Sequence, residues 1–136
     1  MRVFLDTNVL ISAIGTRGLA ADVFRLVLEK HDFITAEPVL MEVERVLDRK
    51  FGLKPSAVAV TVRFLRRFPV EAMPSKPSDV EISDPDDRWI LEAAIQADAD
   101  VLITGDAAFL AVSNRVKKPR IMSPRDFWEL HRGFTS

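Results

Sequence analysis

Short apolar runs that stop at polar or turn-forming residues recur along the chain and predict buried strands. Each run is too short for a helix, and the runs at 3–5 and 101–103 are apolar throughout, as expected of strands that are covered on both faces. The predicted strands lie at 3–5, 33–35, 101–103 and 120–122, with a brief edge-like stretch at 70–73.

Between these runs, apolar residues recur at helical spacing, and prolines stand where the first turn of a helix tolerates them. Positions 9–13 are also mostly apolar, with Ser12 as the exception, but Gly15 and Gly18 interrupt the chain before the first amphipathic pattern begins. The predicted helices run over 20–30, from Pro38 to Leu47, after Pro55, from Asp84 to Ile95, over 107–111 and from Pro124 to His131.

Strands that alternate with helices predict an α/β fold, because right-handed crossovers place the strands in a parallel sheet that helices must cover on both faces. The expected architecture is a three-layer α/β/α fold with a central parallel sheet. The stretch 69–84 contains several prolines and serines and is predicted to be a loop, not a linker between domains. Since one domain usually takes roughly 100–200 residues, we expect residues 1–136 to form a single domain.

Composition and charge exclude several classes of protein. Hydrophobic residues make up 48% and charged residues 29% of the chain, values typical of a globular protein and not of a disordered one. The formal net charge of −1 excludes a uniformly cationic nucleic-acid coat protein but leaves room for a local basic groove. The chain has no Cys and only two His, so any metal must bind to carboxylates.

The beginning of the chain reaches Asp6 before an apolar segment of secretory length can form. No run of about 18 apolar residues occurs elsewhere. We therefore expect a cytoplasmic protein with no membrane partner.

Two acids follow predicted strands at the point where each strand ends. Asp6 comes directly after the run at 3–5, and Asp106 follows the run at 101–103 after a Thr-Gly step. Because ligands of parallel sheets bind beyond the carboxyl ends of the strands, both acids are candidates for one site. Simpler roles remain open, with Asp6 in an Asx turn and Asp106 as the N-cap of a short helix.

Two further acids lie on the apolar side of predicted helices. Glu42 is about 60° from Val39 around its helix, and Asp87 precedes Ile90 by about one turn. Both carboxylates therefore border the buried face and need a partner there.

Structural roles remain open for these acids as well. Glu42 could form an ion pair with Arg45 or Arg49 along the helix. The sequence Asp-Pro-Asp-Asp at 84–87 is typical of a helix start, with Asp at the N-cap, Pro at the first position and acids in the first turn. Asp86 is assigned to the helix start alone.

If these four acids converge, cations must compensate their charge, because crowded carboxylates raise one another's pKa values. Oxygen ligands without His or Cys select Mg²⁺ or Mn²⁺. Two such ions would stabilise the attacking and leaving oxygens of an in-line phosphoryl displacement. The pattern predicts phosphodiester hydrolysis, with the same acids as catalytic residues and metal ligands: Asp6, Glu42, Asp87 and Asp106.

Polar and basic neighbours extend the candidate site. Asn8 follows Asp6 by two residues and Thr104 precedes Asp106 by two, so either could orient a carboxylate or a metal-bound water. Basic side chains around and after Glu42 could hold an RNA backbone, although a solvated surface of mixed charge is the simpler interpretation of any single one. The candidates for RNA contact are Arg45, Arg49, Arg66 and Arg67.

The remaining rings are predicted to be structural. His31 and His131 lie outside every motif and are expected at the surface or at helix ends. Trp89, Phe109 and Trp128 are expected to pack in the core.

Four segments of the chain together resemble the PIN-domain nucleases. They are Val-Phe-Leu-Asp-Thr-Asn-Val-Leu at 3–10, Val-Leu-Met-Glu-Val-Glu-Arg-Val-Leu around Glu42, Asp-Pro-Asp-Asp-Arg-Trp-Ile-Leu-Glu-Ala-Ala at 84–94 and Val-Leu-Ile-Thr-Gly-Asp at 101–106. The resemblance extends from Arg2 to about Leu130. Within that family the chain is most similar to the VapC-like toxin components of bacterial and archaeal toxin–antitoxin pairs.

This resemblance implies a compact α/β/α fold and an endoribonuclease that depends on Mg²⁺ or Mn²⁺, often forms a homodimer and is inhibited by a small antitoxin protein. The residues that match the family's acidic quartet and its two polar companions are Asp6, Glu42, Asp87, Asp106, Asn8 and Thr104. Asp84 is a candidate auxiliary acid. Ala36 departs from the family, where a Ser often precedes the Glu42 helix and provides a hydrogen bond.

Three other functions are compatible with parts of the sequence. A solitary RNA-processing nuclease would use the same residues without an antitoxin. A non-catalytic partner-binding module would use the acids only as helix caps. A haloacid-dehalogenase-like phosphatase would use Asp6 as its nucleophile, but it needs a second acid at the position where this chain has Asn8.

Overall fold

A five-stranded parallel sheet forms the centre of the molecule. The structure is a computed structural model that describes the backbone of residues 1–135 and the side chains of residues 1–131. The strands pair in the order β3-β2-β1-β4-β5, and every pair is parallel. Their bounds are β1 Arg2–Leu5, β2 Asp32–Ala36, β3 Val70–Glu71, β4 Val101–Ile103 and β5 Arg120–Met122.

Seven α-helices flank this sheet within residues 1–135, so the predicted three-layer α/β/α architecture is confirmed. Among the described residues, every helix is too short or too polar to cross a lipid bilayer. The helices are α1 Thr7–Gly15, α2 Leu19–Lys30, α3 Glu37–Arg49, α4 Pro55–Leu65, α5 Pro85–Gln96, α6 Ala107–Leu110 and α7 Pro124–Thr135, with a 3₁₀ turn at Ser113–Arg115.

Burial on both faces explains why the central strands are apolar throughout. Phe4 and Leu5 in β1 and Leu102 and Ile103 in β4 are completely inaccessible to solvent. Helices cover each face of the sheet, and their apolar side chains join those of the strands in one continuous core. The predicted strands are all present, and β3 at the edge is shorter than the predicted stretch.

Helix α1 is the element that the hydrophobic pattern did not predict. Its apolar residues at positions 9–11 form a run and not a spaced stripe, so their period does not distinguish a helix from a strand. The helix starts because Asp6 accepts a hydrogen bond from the backbone N–H of Thr7 and its carbonyl accepts from Val9 and Leu10. The last helix, α7, also continues four residues beyond its predicted end at His131.

The carboxyl edge of the sheet brings distant parts of the sequence together. Leu5 pairs with Ile103 in the sheet, and the backbone N–H of Asp6 donates to the carbonyl of Ile103 at 2.9 Å. Asp6 and Thr104 therefore leave the sheet side by side. Helix α3 begins at the same edge because Glu37 follows β2 without a loop.

The predicted loop before α5 is confirmed, since residues 72–84 form no helix or strand. It is fastened to α5 by Arg88 and Ser78. The guanidinium Nε of Arg88 donates to the carbonyl of Ser78 at 2.9 Å, and the N–H of Ser78 donates to the carbonyl of Arg88 at 3.0 Å. This pairing fixes the loop beside the first turns of α5, where Asp87 lies.

Candidate functional site

Asp6 lies at the centre of a hydrogen-bond network on the carboxyl edge of the sheet. Its carboxylate is buried and accepts from the hydroxyl of Thr104 at 2.7 Å and from the backbone N–H of Thr7 at 2.8 Å. The side-chain amide of Asn8 approaches the same carboxylate at 3.4 Å. Burial raises the pKa of Asp6, and the bonds from Thr104 and Thr7 oppose that rise because they stabilise the ionised form.

Thr104 and Asn8 also hold the loop that carries Asp106. The hydroxyl of Thr104 accepts from the backbone N–H of Asp106 at 3.1 Å, and the amide oxygen of Asn8 accepts from the N–H of Gly105 at 3.1 Å. Both predicted polar companions thus connect the Asp6 corner to the Asp106 corner. They fix the two acids relative to each other.

Two acids of the site, Asp106 and Asp84, are also helix N-caps. The capping role predicted for each is therefore compatible with a role in the site. Asp106 accepts from the N–H of Ala108 at 3.0 Å at the start of α6, and Asp84 accepts from the N–H of Asp86 at 3.0 Å at the start of α5. The capping oxygen is Oδ1 in each case. The negative charges of Asp106 and Asp84 both raise the pKa of Asp6.

The surroundings of Asp87 strongly disfavour its ionised form. It is 4% exposed, and its Oδ2 is buried without a hydrogen-bond donor. Burial raises the pKa of Asp87 to about 8, and the carboxyl group of Asp106 adds to the rise because a hydrogen bond between the two requires a proton. With both groups ionised, the Asp87 carboxylate lies near like charges, and its Oδ2 has no donor.

Glu42, in the second turn of α3, lies within electrostatic reach of Asp6, Asp84 and Asp86. Its side chain is partly buried, and burial together with the negative charge of Asp6 raises the pKa of Glu42 to about 7. No ion pair of Glu42 forms among the described side chains. Arg45 instead lies 3.6 Å from a carboxylate oxygen of Asp86, so the alternative of a Glu42–Arg45 pair is not supported.

Asp6 therefore lies within electrostatic reach of each of the other three predicted acids, Glu42, Asp87 and Asp106, and of Asp84. In their present positions, no three carboxylate or imidazole groups among the described residues enclose a space that could hold a metal ion. The donor set nevertheless suits a hard cation, since all the groups are oxygens and Oδ2 of Asp87 lacks a partner. A hydrated Mg²⁺ bound partly through its own waters needs few direct protein ligands.

The four basic candidates lie on exposed surface, and they differ in how far they are already paired. Arg66 forms a bidentate ion pair with Glu37 at the start of α3, with distances of 2.8 and 3.0 Å. Arg45 has only the longer contact with Asp86. Arg49 and Arg67 have no ion pair among the described residues. Contact of these side chains with RNA stays a prediction.

The rings behave as predicted with one exception. Phe109 is fully buried and Trp128 packs against the core, whereas Trp89 is partly exposed and lines a cavity beside Glu42. Trp89 follows Asp87 by two positions, about 200° around the helix, and this offset could have indicated that it leaves the buried stripe. The pair His31 and His131, joined at 2.6 Å between their Nε2 atoms, lies near the amino edge of the sheet and not in the acid cluster.

Comparison with known proteins relates the chain to a family and to solved structures. A family model described as PIN domain matches residues 2–108. The fold is similar to a chain in the crystal structure of VapBC2 from Rickettsia felis bound to a DNA fragment from their promoter, with a TM-score of 0.63 and 18% sequence identity over 90% of this chain and 97% of that chain. A search of curated proteins gives no significant match.

Proposed function

Since the chain belongs to the PIN-domain family, whose members are generally nucleases, we propose that it is an endoribonuclease that depends on Mg²⁺ or Mn²⁺. The observation that carries the proposal is the group of four acids from separate parts of the chain, in which Glu42, Asp87 and Asp106 each interact electrostatically with Asp6 and the buried Oδ2 of Asp87 has no donor. A fold does not require this arrangement for its stability. Buried like charges cost free energy unless a cation or substrate group compensates them.

In this proposal the acids bind the metal, and their polar neighbours position them. Asp6, Glu42, Asp87 and Asp106 would hold the divalent ion, and Asp84 would assist from the start of α5. Thr104 and Asn8 keep the Asp6 carboxylate in one orientation through the bonds at 2.7 and 3.4 Å.

Bound divalent ions supply charge stabilisation for the attacking and leaving oxygens of a phosphodiester displacement. The protein's own contribution is to position the RNA. Arg45 and Arg49 lie about one and two turns beyond Glu42 on α3, where they can contact phosphates that flank the scissile one. Arg67 would contact the backbone further away, and Arg66 would do so in competition with Glu37.

We further propose that residues 1–136 form one nuclease domain, with Ser136 outside the described residues, and that the protein acts in the cytoplasm as the toxin of a toxin–antitoxin pair. The support is the similarity of its fold to a chain of the VapBC2 complex. A small antitoxin protein would be its partner, and the toxin itself would be a homodimer. A solitary RNA-processing nuclease remains the second candidate, because the acid cluster serves either role equally.

The other two alternatives have less support. A phosphatase of the haloacid-dehalogenase type needs an acid at the position of Asn8, whose amide here bridges Asp6 and Gly105. A binding module that uses acids only as caps does not account for Glu42 and Asp87, since neither is the N-cap of its helix.

RNA cleavage by purified protein tests the proposed activity. We expect the wild type to cleave single-stranded RNA with Mg²⁺ or Mn²⁺ and to lose this activity in a chelator. Asp6→Asn should abolish cleavage, because it removes one ligand charge and keeps the size of the side chain. Asp32→Asn, an exposed acid at the opposite end of the sheet, is the matched control and should cleave as the wild type does. Equal cleavage by Asp6→Asn and Asp32→Asn would contradict the proposal.

Growth separates the toxin from the solitary nuclease. Expression of the wild type should arrest a bacterial host and Asp6→Asn should not. A neighbouring reading frame for a short DNA-binding protein, whose co-expression restores growth, would support the toxin. Cleavage in vitro without any growth arrest would favour the RNA-processing enzyme.

A further inference from the structure

A cavity of about 350 Å³ opens beside Glu42, between helices α3 and α5 and the segment that follows β3. The cavity is separate from the acid cluster but adjoins it, because Glu42 belongs to the cluster and also lines the cavity. Its apolar walls are Pro38, Met41, Met73, Pro74, Trp89 and Ile90.

The lining follows from helical spacing on two facing helices. On α3, Pro38, Met41 and Arg45 lie on the same face as Glu42, at intervals of three and four residues. On α5, the corresponding face carries Asp86, Trp89 and Ile90. Each helix thus contributes one acid to the cluster, Glu42 from α3 and Asp87 from α5, and an apolar stripe to the cavity.

The cavity exposes apolar surface that the fold itself does not use. Met41 is 58% exposed and Met73 is 43% exposed, although both are large apolar side chains. Trp89 is partly exposed, and within the described side chains it stacks on no other ring and its indole N–H has no acceptor. Exposed apolar groups concentrated at one concave place are typical of a ligand site.

We propose that this cavity binds a nucleobase of single-stranded RNA next to the scissile phosphate; this inference rests on the proposed nuclease function. A base has apolar faces and polar edges. The faces suit Trp89 and the methionine side chains. The edge suits the polar rim, where Arg45 can donate and Asp86 can accept hydrogen bonds. Because Glu42 is shared, a base in the cavity would place its phosphate beside the acid cluster.

The charges of the site favour RNA over an apolar segment of a protein as the occupant. One wall of the cavity is a carboxylate of the metal-binding cluster, and the rim carries a guanidinium that lies 3.6 Å from its acidic neighbour and remains half exposed. A nucleotide combines a flat apolar ring with a phosphate that a cation-loaded acid cluster attracts. An apolar protein side chain would leave these charges without partners.

Fluorescence of Trp89 tests base binding without any cleavage. Trp128→Phe leaves Trp89 as the single tryptophan, and Asp6→Asn prevents hydrolysis when Mg²⁺ is present. We expect a ten-nucleotide single-stranded RNA to quench this protein. An abasic ribose at one position should remove the quench and weaken binding by about 5- to 100-fold, the size of one base–aromatic stack. The control, Asp6→Asn with Trp89→Phe, retains Trp128 and should not respond.

Steady-state cleavage gives a second test, in which exposed side chains are changed so that folding is preserved. Met41→Ala and Met73→Ala should raise KM for single-stranded RNA while the fold and the metal affinity stay unchanged. Val60→Ala, an equally exposed apolar residue on α4 outside the cavity, should not alter KM.

The outcomes separate this inference from the proposed function. If the wild type cleaves RNA but Trp89 fails to respond, or responds equally to every abasic RNA, the nucleobase site is wrong. That result would point to a protein side chain as the occupant. If Trp89 responds to the base but the wild type cleaves no RNA, the nuclease function fails and the cavity remains a base-binding site.

Discussion

At the scale of single residues, the site is defined by carboxyl groups that are held where their ionised forms are disfavoured. Burial raises the pKa of Asp87 to about 8 and that of Glu42 to about 7, and it also raises the pKa of Asp6. A group that binds its proton more tightly in the folded protein stabilises the fold at low pH and loses that contribution as the pH rises.

Stability without metal should therefore depend on pH through Asp87. The usual pKa of 3.8 in the unfolded chain and a value of about 8 in the fold place the loss between about pH 4 and pH 8. In a chelator, Asp87→Asn should gain free energy of unfolding relative to the wild type across this range, by about 1–3 kcal/mol. Urea unfolding of both proteins at several pH values measures the difference. Parallel curves, as expected for Asp32→Asn, would show that Asp87 is not perturbed.

Thr104 should matter for metal affinity because its hydroxyl fixes the orientation of the Asp6 carboxylate at 2.7 Å. Thr104→Val keeps the shape of the side chain and removes this bond. We expect Mn²⁺ affinity to fall by about 10- to 100-fold, the usual cost of losing a partner of a metal ligand. Calorimetric titration measures it, with Thr61→Val on α4 as the control. An unchanged affinity would exclude the positioning role of Thr104.

At the scale of elements, the sequence predicted the strands well because each is an apolar run bounded by polar residues. It also predicted Asp6, Asp106, Glu42 and Asp87 as site candidates from their places at strand ends and on inner helix faces. The sequence could not show that Asp106 both caps α6 and belongs to the acid cluster. That second role depends on the tertiary packing that places Asp87 of α5 beside Asp106.

Helix α1 and the exposure of Trp89 were not predicted from the sequence. Helix α1 carries a continuous apolar run, which has no helical period, and only the cap at Asp6 distinguishes it from a strand. Trp89 was predicted to pack in the core because it is a large aromatic residue; its angular offset from Asp87 indicates that it leaves the buried stripe, but the cavity that it forms with α3 depends on tertiary packing. Local patterns report which face of an element is apolar but not what that face meets.

The start of α3 offers a test at this scale. Ala36 is the N-cap of α3 and gives no side-chain hydrogen bond, although its φ of −154° and ψ of 160° are suitable for a capping serine. Ala36→Ser should stabilise the fold by about 0.5–1.5 kcal/mol, because the hydroxyl can accept from the first turn. Thermal unfolding of the serine variant beside Ala36→Gly measures the effect. A loss of stability in both variants would mean that the buried position does not admit a hydroxyl.

At the scale of the whole molecule, the nearly neutral net charge conceals an uneven distribution. Acids collect at the carboxyl edge of the sheet, and exposed arginines follow on α3 and beyond the end of α4. RNA recognition by shape and backbone leaves little linear signature, so the sequence does not identify the RNA. An antitoxin surface and a dimer surface are likewise properties of complete faces and not of motifs.

The basic side chains should contribute to RNA binding through phosphate contacts. Arg49→Ala, in the cleavage-deficient Asp6→Asn protein, should weaken binding to RNAs of different sequence by similar factors. It should also reduce the slope of log affinity against log salt by about 1. Filter binding at several salt concentrations measures both. Lys117→Ala, an exposed cation near the amino edge of the sheet, should leave the slope unchanged, and an equal effect of the two variants would indicate a nonspecific loss of charge.

The most direct measurement of the central claim is the anomalous diffraction of Mn²⁺ in crystals of the protein. We expect at least one strong anomalous peak at the carboxyl edge of the sheet, within ligand distance of carboxylate oxygens of Asp6 and Asp87 or of waters that they hold. The same soak of Asp6→Asn crystals should weaken or remove that peak. Well-ordered Mn²⁺ elsewhere with none among these acids, in an active wild-type protein, would contradict it.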